Sequence, residues 1–133
     1  MFNLLTYLAQ GLQNTLLMKS NSGFSYNGPF IRIEEETEID RWYLGDFVSA
    51  DYTISIDLDQ ENKELVKCSI TATVDNVNLI VYSRNYTNKS LVELRVLVND
   101  SYVSLLATPA FSKASGSKII FTKQIFQNQT PLT

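Results

Sequence analysis

Apolar and polar side chains alternate along much of the chain after Phe30. Tyr52–Leu58 alternates without error, and apolar residues recur at every second position from Val66 to Val74. A period of two is typical of strands with one buried face and one exposed face. The same reasoning predicts further strands at Ile31–Glu35, Trp42–Val48, Val77–Ser83, Leu91–Val98, Tyr102–Thr108 and Lys118–Phe126.

Turn-forming residues separate the predicted strands. Asp75-Asn76 joins two of them with a pair of residues that tolerate positive φ, which is typical of a tight hairpin. Asn99–Ser101 and Asp59–Lys63 are expected to close two more. Seven or eight short strands without a helical crossover predict a mainly β domain over residues 30–133. We expect an antiparallel β-sandwich, jelly-roll or immunoglobulin-like, although alternation alone leaves a closed barrel open.

The first 19 residues follow a different period. Leu5, Leu8, Leu12 and Leu16 have the spacing of one helix face, so the pattern predicts an N-terminal α-helix over residues 1–19. Turn-forming residues then predict a linker over residues 20–29. Because an isolated helix of this length is marginal in water, the four leucines are predicted to form a protein interface. The helix would dock on its own sandwich, on a second copy or on a partner protein.

Composition narrows the chemistry further. The 133 residues fit one domain, with a net charge of −3 and no histidine. The lack of histidine excludes Ser-His and Cys-His catalysis and imidazole metal sites. Cys68 falls in an apolar phase and is expected to be a small buried hydrophobe. Neither a nucleic-acid partner nor a membrane partner is predicted, since clustered basic residues and a long apolar span are missing.

Two acidic features are candidate cation sites. Glu34–Asp40 carries five carboxylates and is expected to be a solvated loop in which Arg32 and Arg41 pair locally; the alternative is a site for a cation or a basic partner. Asp57, Asp59 and Glu61 begin like an EF-hand loop. Asn62 and Cys68 then stand where that loop needs Gly and Glu, so a charged hairpin is favoured. No metal site and no cofactor are predicted.

Loop residues leave other possibilities open. Glycosylation sequons begin at Asn85, Asn88, Asn99 and Asn128, and their amides are suited to polar contacts in loops. Aromatic residues lie in or beside the same kind of segment. Three roles are open to them: stacking on sugar rings, anchoring a protein contact, or covering the ends of the sandwich. These aromatic residues are Phe24, Tyr26, Tyr86, Phe111 and Phe126.

Three stretches, Thr37–Leu58, Val77–Thr87 and Tyr102–Phe126, resemble a known family in the same order. That family is the small β-sandwich virion structural proteins of marine tailed phages, cyanophages among them. Asp40, Ser49–Tyr52, Thr108-Pro109 and Ile119–Phe121 hold the places of the family pattern. The resemblance implies a structural role in the virion and brings no catalytic residues.

The expected function is therefore that of a non-enzymatic assembly subunit of a phage particle. Its expected partners are other copies of itself and other virion proteins, in a tail, neck, baseplate, fibre or head surface. A carbohydrate-binding module that contacts host glycans is the alternative. A hydrolase using two carboxylates is a third reading, because such a pair needs no local motif.

Overall fold

A computed structural model describes residues 23–28 and 30–129, with side chains from residue 28 onward. The leucines of the predicted helix at residues 1–19 lie outside this range. Within it the chain forms nine strands and a short 3-10 helix at Ser112–Ala114. The strands are β1 Gly23–Asn27, β2 Ile31–Ile33, β3 Thr37–Tyr43, β4 Phe47–Asp57, β5 Lys63–Ala72, β6 Val77–Tyr86, β7 Val92–Asn99, β8 Tyr102–Pro109 and β9 Ser117–Gln127.

The strands form two antiparallel sheets. The larger has the order β1-β9-β4-β5-β6, with β2 also paired to β9, and the smaller has the order β3-β8-β7. This confirms the expected mainly β, antiparallel fold. A division into six and three strands differs from the four-plus-three immunoglobulin arrangement and from the eight-stranded jelly roll. Pairing order decides between such folds, and alternation does not encode it.

One hydrophobic core lies between the sheets. Tyr52, Ile54 and Ile56 of β4 point into it, and Val103 and Leu105 of β8 meet them from the smaller sheet. The alternation in β4 and β5 therefore separates the buried face from the exposed face as predicted. Cys68 is fully buried on β5, as expected for a small apolar side chain. Burial raises the pKa of its thiol to about 12, so it is unreactive at neutral pH.

The three predicted turns are confirmed. Asp100 and Ser101 have φ values of 53° and 67° and join β7 to β8, the backbone shape of a two-residue hairpin loop. At the β5–β6 hairpin the Thr73 hydroxyl accepts hydrogen bonds from the backbone N–H groups of Asp75 and Asn76. These short connections fix the register of the strands they join.

Two segments differ from the expectations for the start of the domain. Strand β1 lies within residues 20–29, where turn-forming residues predict a linker, and pairs with β9 from Gly23↔Phe126 to Asn27↔Thr122. The predicted strand Trp42–Val48 is broken by a turn in which the Asp46 N–H donates to the Tyr43 carbonyl. Local signals miss strand β1 because its pairing partner, β9, is distant in sequence.

Candidate interaction surface

The predicted interface residues Leu5, Leu8, Leu12 and Leu16 lie outside the described residues. The described residues contain two buried polar clusters and an exposed sheet edge, formed by β6. No group of three or more Cys, Asp or Glu side chains suited to hold a metal occurs within residues 23–28 and 30–129. In the same part of the chain, no helix has the length and apolar character needed to cross a membrane.

A buried polar cluster joins the two sheets. The Tyr52 hydroxyl donates a 2.6 Å hydrogen bond to Asp40 on β3 and accepts one of 3.0 Å from the Trp42 indole. Lys123 on β9 donates to the same carboxylate oxygen of Asp40 at 2.8 Å, with both side chains about nine-tenths buried. Burial and the neighbouring Asp40 charge raise the pKa of Tyr52, which keeps its hydroxyl protonated. This cluster fixes how the sheets lie on each other.

A second buried carboxylate fixes the end of β6. The Glu64 side chain on β5 is fully buried and accepts hydrogen bonds from Arg84, from the Ser90 hydroxyl and from the Leu91 backbone N–H. Arg84 also donates to the Val92 carbonyl. The only charged side chain of β6 is therefore turned inward and neutralised.

The acidic run Glu34–Asp40 does not form a free anionic patch. Glu36 makes a bidentate pair with Arg95, and that hydrogen-bonded guanidinium holds the pKa of Glu36 below its ordinary value. Glu38 pairs with Arg41, as expected, and also accepts from Ser104. Glu38 and Asp40 lie on strand β3 and not in the solvated loop that the charge pattern predicts.

The EF-hand-like residues form a capped hairpin. Asp59 accepts hydrogen bonds from the Asn62 side chain and from the backbone N–H groups of Glu61 and Asn62. The bond from the Asn62 side chain, followed by the one from the Glu61 N–H, holds the pKa of Asp59 below its ordinary value. Asp57 pairs with Lys63 at 2.9 Å on the surface. The carboxylates thus close the β4–β5 turn, as the hairpin interpretation predicts.

The loop aromatics fall into different environments. Phe111 packs against the core, and the Lys89 ammonium lies 4.3 Å from the centre of its ring. Phe126 is half-buried, whereas Tyr86 at the end of β6 is 48% exposed. Phe24 and Tyr26 lie on β1, and their side chains fall outside the described part of the structure.

The four sequon asparagines are similarly divided. Asn85 on β6 and Asn99 at the end of β7 are exposed, and Asn88 donates to the Asn62 side chain at 3.2 Å. Asn128 donates through its amide to the Leu44 carbonyl. They do not gather into one surface.

The β6 edge is an exposed apolar feature of the larger sheet. Ile80 and Tyr82 are each 52% exposed and point to the outer face, where the Tyr82 hydroxyl donates to Asp51 at 2.8 Å. Strand β6 is ten residues long and pairs only with β5 among the described residues. Long edges are normally protected by exposed charges. In β6 the segment Val77–Val81 has none, and beyond it the one charged side chain, Arg84, is paired with Glu64. The sequence shows the apolar run but not its place at an edge.

An open groove of about 360 Å³ lies beside the start of β6. Its surface is mostly apolar, although five of the seven lining residues carry a hydroxyl or an amide group. Its lining consists of Val48, Ser49, Thr71, Ala72, Thr73, Asn76 and Asn78.

Comparison with known proteins gives distant structural likenesses. No protein-family model matches the chain, and the search of curated proteins gives no match. A tailspike protein of Acinetobacter baumannii phage AM24 aligns over 80% of this chain and 27% of its own, with a TM-score of 0.43 and 8% identity. The tailspike protein of Acinetobacter phage vB_ApiP_P1 aligns over 86% and 24%, with a TM-score of 0.42 and 9% identity. The chain thus spans about a quarter of either tailspike, and similarity at this level defines neither family nor function.

Proposed function

We propose that this protein is a non-enzymatic structural subunit of a tailed-phage virion, of the kind found in marine phages, and that it acts by protein–protein contacts. Its place would be a tail, neck, baseplate, fibre or head surface. Its partners would be further copies of itself and other virion proteins, with the leucine stripe of residues 1–19 as one contact.

The observation that carries this proposal is the β6 edge, which has no neighbouring strand other than β5 among the described residues. The regular part of this edge, Val77–Val81, presents backbone hydrogen-bonding groups, and the exposed side chains of Ile80, Tyr82 and Tyr86 add apolar surface. Such an edge accepts an added strand, a common mode of assembly between protein chains. A protein that stays alone would be expected to protect it.

Two ion pairs that connect strands of the core support the same proposal. The Asp40–Lys123 pair and the Glu64–Arg84 pair hold the strands in one arrangement, so the edge is presented by a rigid body. Asp40 and Tyr52, which lie in the stretches resembling virion proteins, are in direct contact in the core. A rigid surface loses less entropy on assembly than a flexible one.

Quantitative mass spectrometry of purified virions tests the proposal. We expect the protein in a fixed ratio to the major capsid protein: hundreds of copies for a head or tail-tube component, and a small multiple of three or six for a neck, baseplate or fibre. Absence from clean particles that contain all other virion proteins would overturn it.

A carbohydrate-binding module is the second candidate, favoured by one surface. The exposed Tyr82 ring is held by Asp51, and the nearby groove contributes Ser49, Thr71 and Asn78. Aromatic faces next to hydroxyls and amides suit sugar rings. A glycan array probed with the folded protein, with Tyr82→Ala as the control, would give hits that the variant loses. An array without hits would exclude this candidate.

A further inference from the structure

The edge segment Val77–Val81 is self-complementary on its inner face. Val77, Leu79 and Val81 are half-buried and pack against the core, while Asn78 and Ile80 point outward. The inner residues therefore read Val, Leu, Val in either direction along the strand. An antiparallel copy of this segment would meet the same inner pattern that it presents.

The β-bulge in β6 limits where such pairing is regular. Lys67 pairs with Ser83 and Cys68 with Val81, so Tyr82 is an extra residue on the β6 side. A bulge bends the strand and interrupts the hydrogen-bonding pattern, which protects the edge beyond it. The regular part is Val77–Val81, whose central residue is Leu79.

We infer that β6 pairs antiparallel with β6 of a second copy of this chain, about a two-fold axis at Leu79. Leu79 would lie opposite Leu79 of the partner subunit, Val77 opposite Val81 of the partner subunit, and Asn78 opposite Ile80 of the partner subunit. The inference rests on the proposed function, for which it names one partner and one surface.

The symmetry and the charges favour this occupant. A two-fold axis perpendicular to the sheet leaves the outer faces of both copies on the same side of the joined sheet. In an antiparallel pair such an axis lies between two equivalent residues that stand directly opposite each other, here Leu79 of each copy. Like charges directly opposite would destabilise the pair, but Val77–Val81 contains none, and Arg84 is neutralised by Glu64. In an acidic chain of net charge −3, this uncharged edge is a place where two copies approach without repulsion.

Pairing would also complete the core of each copy. The side chains of Val77, Leu79 and Val81 are already in contact with buried residues but keep part of their surface in solvent. The partner strand would cover that remaining surface and pair the backbone groups of this edge, which have no strand partner within residues 23–28 and 30–129. Pairing of the two strands would therefore bury apolar surface and form backbone hydrogen bonds at the same time.

Single-cysteine variants test the register. Directly opposite residues in an antiparallel pair have Cα atoms about 4.5–5.5 Å apart, within the range of a disulfide. Leu79→Cys is therefore expected to form a disulfide dimer by itself. Asn78→Cys and Ile80→Cys, whose equivalent residues lie diagonally at about 7–8 Å, are expected to cross-link efficiently only when mixed with each other. The native Cys68 is buried and gives no background.

The result that would overturn the inference is equally specific. Neither a Leu79→Cys dimer nor a mixed Asn78→Cys and Ile80→Cys dimer would form if the edge is not paired in this register. Equal cross-linking at every position would indicate random collision and would also overturn it. Because Asn78→Cys and Ile80→Cys change outward-facing side chains, their test is independent of any folding defect in Leu79→Cys.

Sedimentation velocity on the full chain supplies a second test. We expect a reversible dimer whose dissociation constant rises at least about tenfold in Ile80→Lys, since a lysine protects an edge. Ser55→Lys adds the same charge to the outer face of the central strand β4 and is expected to leave the dimer unchanged. A wild-type protein that stays monomeric would overturn self-pairing; its presence in purified virions would leave the proposed function standing, with a strand of another virion protein on the edge.

Discussion

Tyr52 on β4 and Asp40 on β3 are joined by a 2.6 Å hydrogen bond across the interior of the sandwich. The bond connects the two sheets, and the Trp42 indole and the Lys123 ammonium complete its surroundings. The Asp40 carboxylate and the Tyr52 hydroxyl are thus buried together, and both have hydrogen-bond partners. The relative position of the sheets depends on this cluster, as does the surface that the larger sheet presents.

Tyr52→Phe tests the contribution of the hydroxyl to stability. The ring stays in the core, but Asp40 loses a donor and the Trp42 indole loses its acceptor. We expect the free energy of unfolding, measured by urea titration, to fall by about 1–3 kcal/mol. Tyr82→Phe removes a surface hydroxyl that contacts Asp51 and is expected to change it by less than about 0.5 kcal/mol. Equal losses of unfolding free energy in the two variants would show that the buried Tyr52 hydroxyl stabilises the fold no more than a surface hydroxyl does.

Lys123→Met tests the buried ion pair. Removing the ammonium leaves the Asp40 carboxylate buried without its cation, so we expect a loss of about 3–5 kcal/mol in the free energy of unfolding. Lys63→Met breaks the exposed pair with Asp57 and is the matched control, with a loss below about 1 kcal/mol. The idea fails if urea unfolding gives the two methionine variants the same stability.

Glu38→Gln tests how stability depends on pH. The Ser104 hydroxyl, and then Arg41, hold the pKa of the Glu38 carboxyl below its ordinary value of 4.5. The folded state therefore favours the ionised form, and its stabilising effect is complete above pH 4.5 and lost as the pH falls through the lowered pKa.

The difference in urea midpoint between wild type and Glu38→Gln should therefore be largest at neutral pH and shrink on acidification below 4.5. Ser104→Ala removes the main donor and should reduce how strongly stability depends on the Glu38 charge. A difference between wild type and Glu38→Gln that stays constant from neutral to strongly acidic pH would show that Glu38 has no such role.

Local patterns account for much of the sandwich. Alternation places Tyr52 and Cys68 on buried faces, and the turn residues at Asp100-Ser101 adopt the positive φ values that a tight hairpin needs. The same alternation also places two charged residues, Glu64 of β5 and Lys123 of β9, at positions of the buried face. Polar residues in a buried phase point to buried partners.

Distant pairing is what the sequence leaves undetermined. Asp40 lies in a charged run for which a solvated loop is the ordinary expectation, and its partner Lys123 is 83 residues away. The β6 edge is apolar in sequence, but a central strand of a buried sheet has the same appearance. Only the strand order, which local alternation does not specify, makes it a candidate interaction surface.

The most direct test of the central claim is incorporation into particles. A phage lacking this gene would be complemented with wild type, Ile80→Lys or Ser55→Lys, after circular dichroism shows that each variant is folded, and purified virions would be analysed by quantitative mass spectrometry. We expect wild-type incorporation for Ser55→Lys and a strong loss for Ile80→Lys, because a charge on the β6 edge blocks assembly. Normal incorporation of Ile80→Lys, or absence of the wild-type protein from particles, would contradict this expectation.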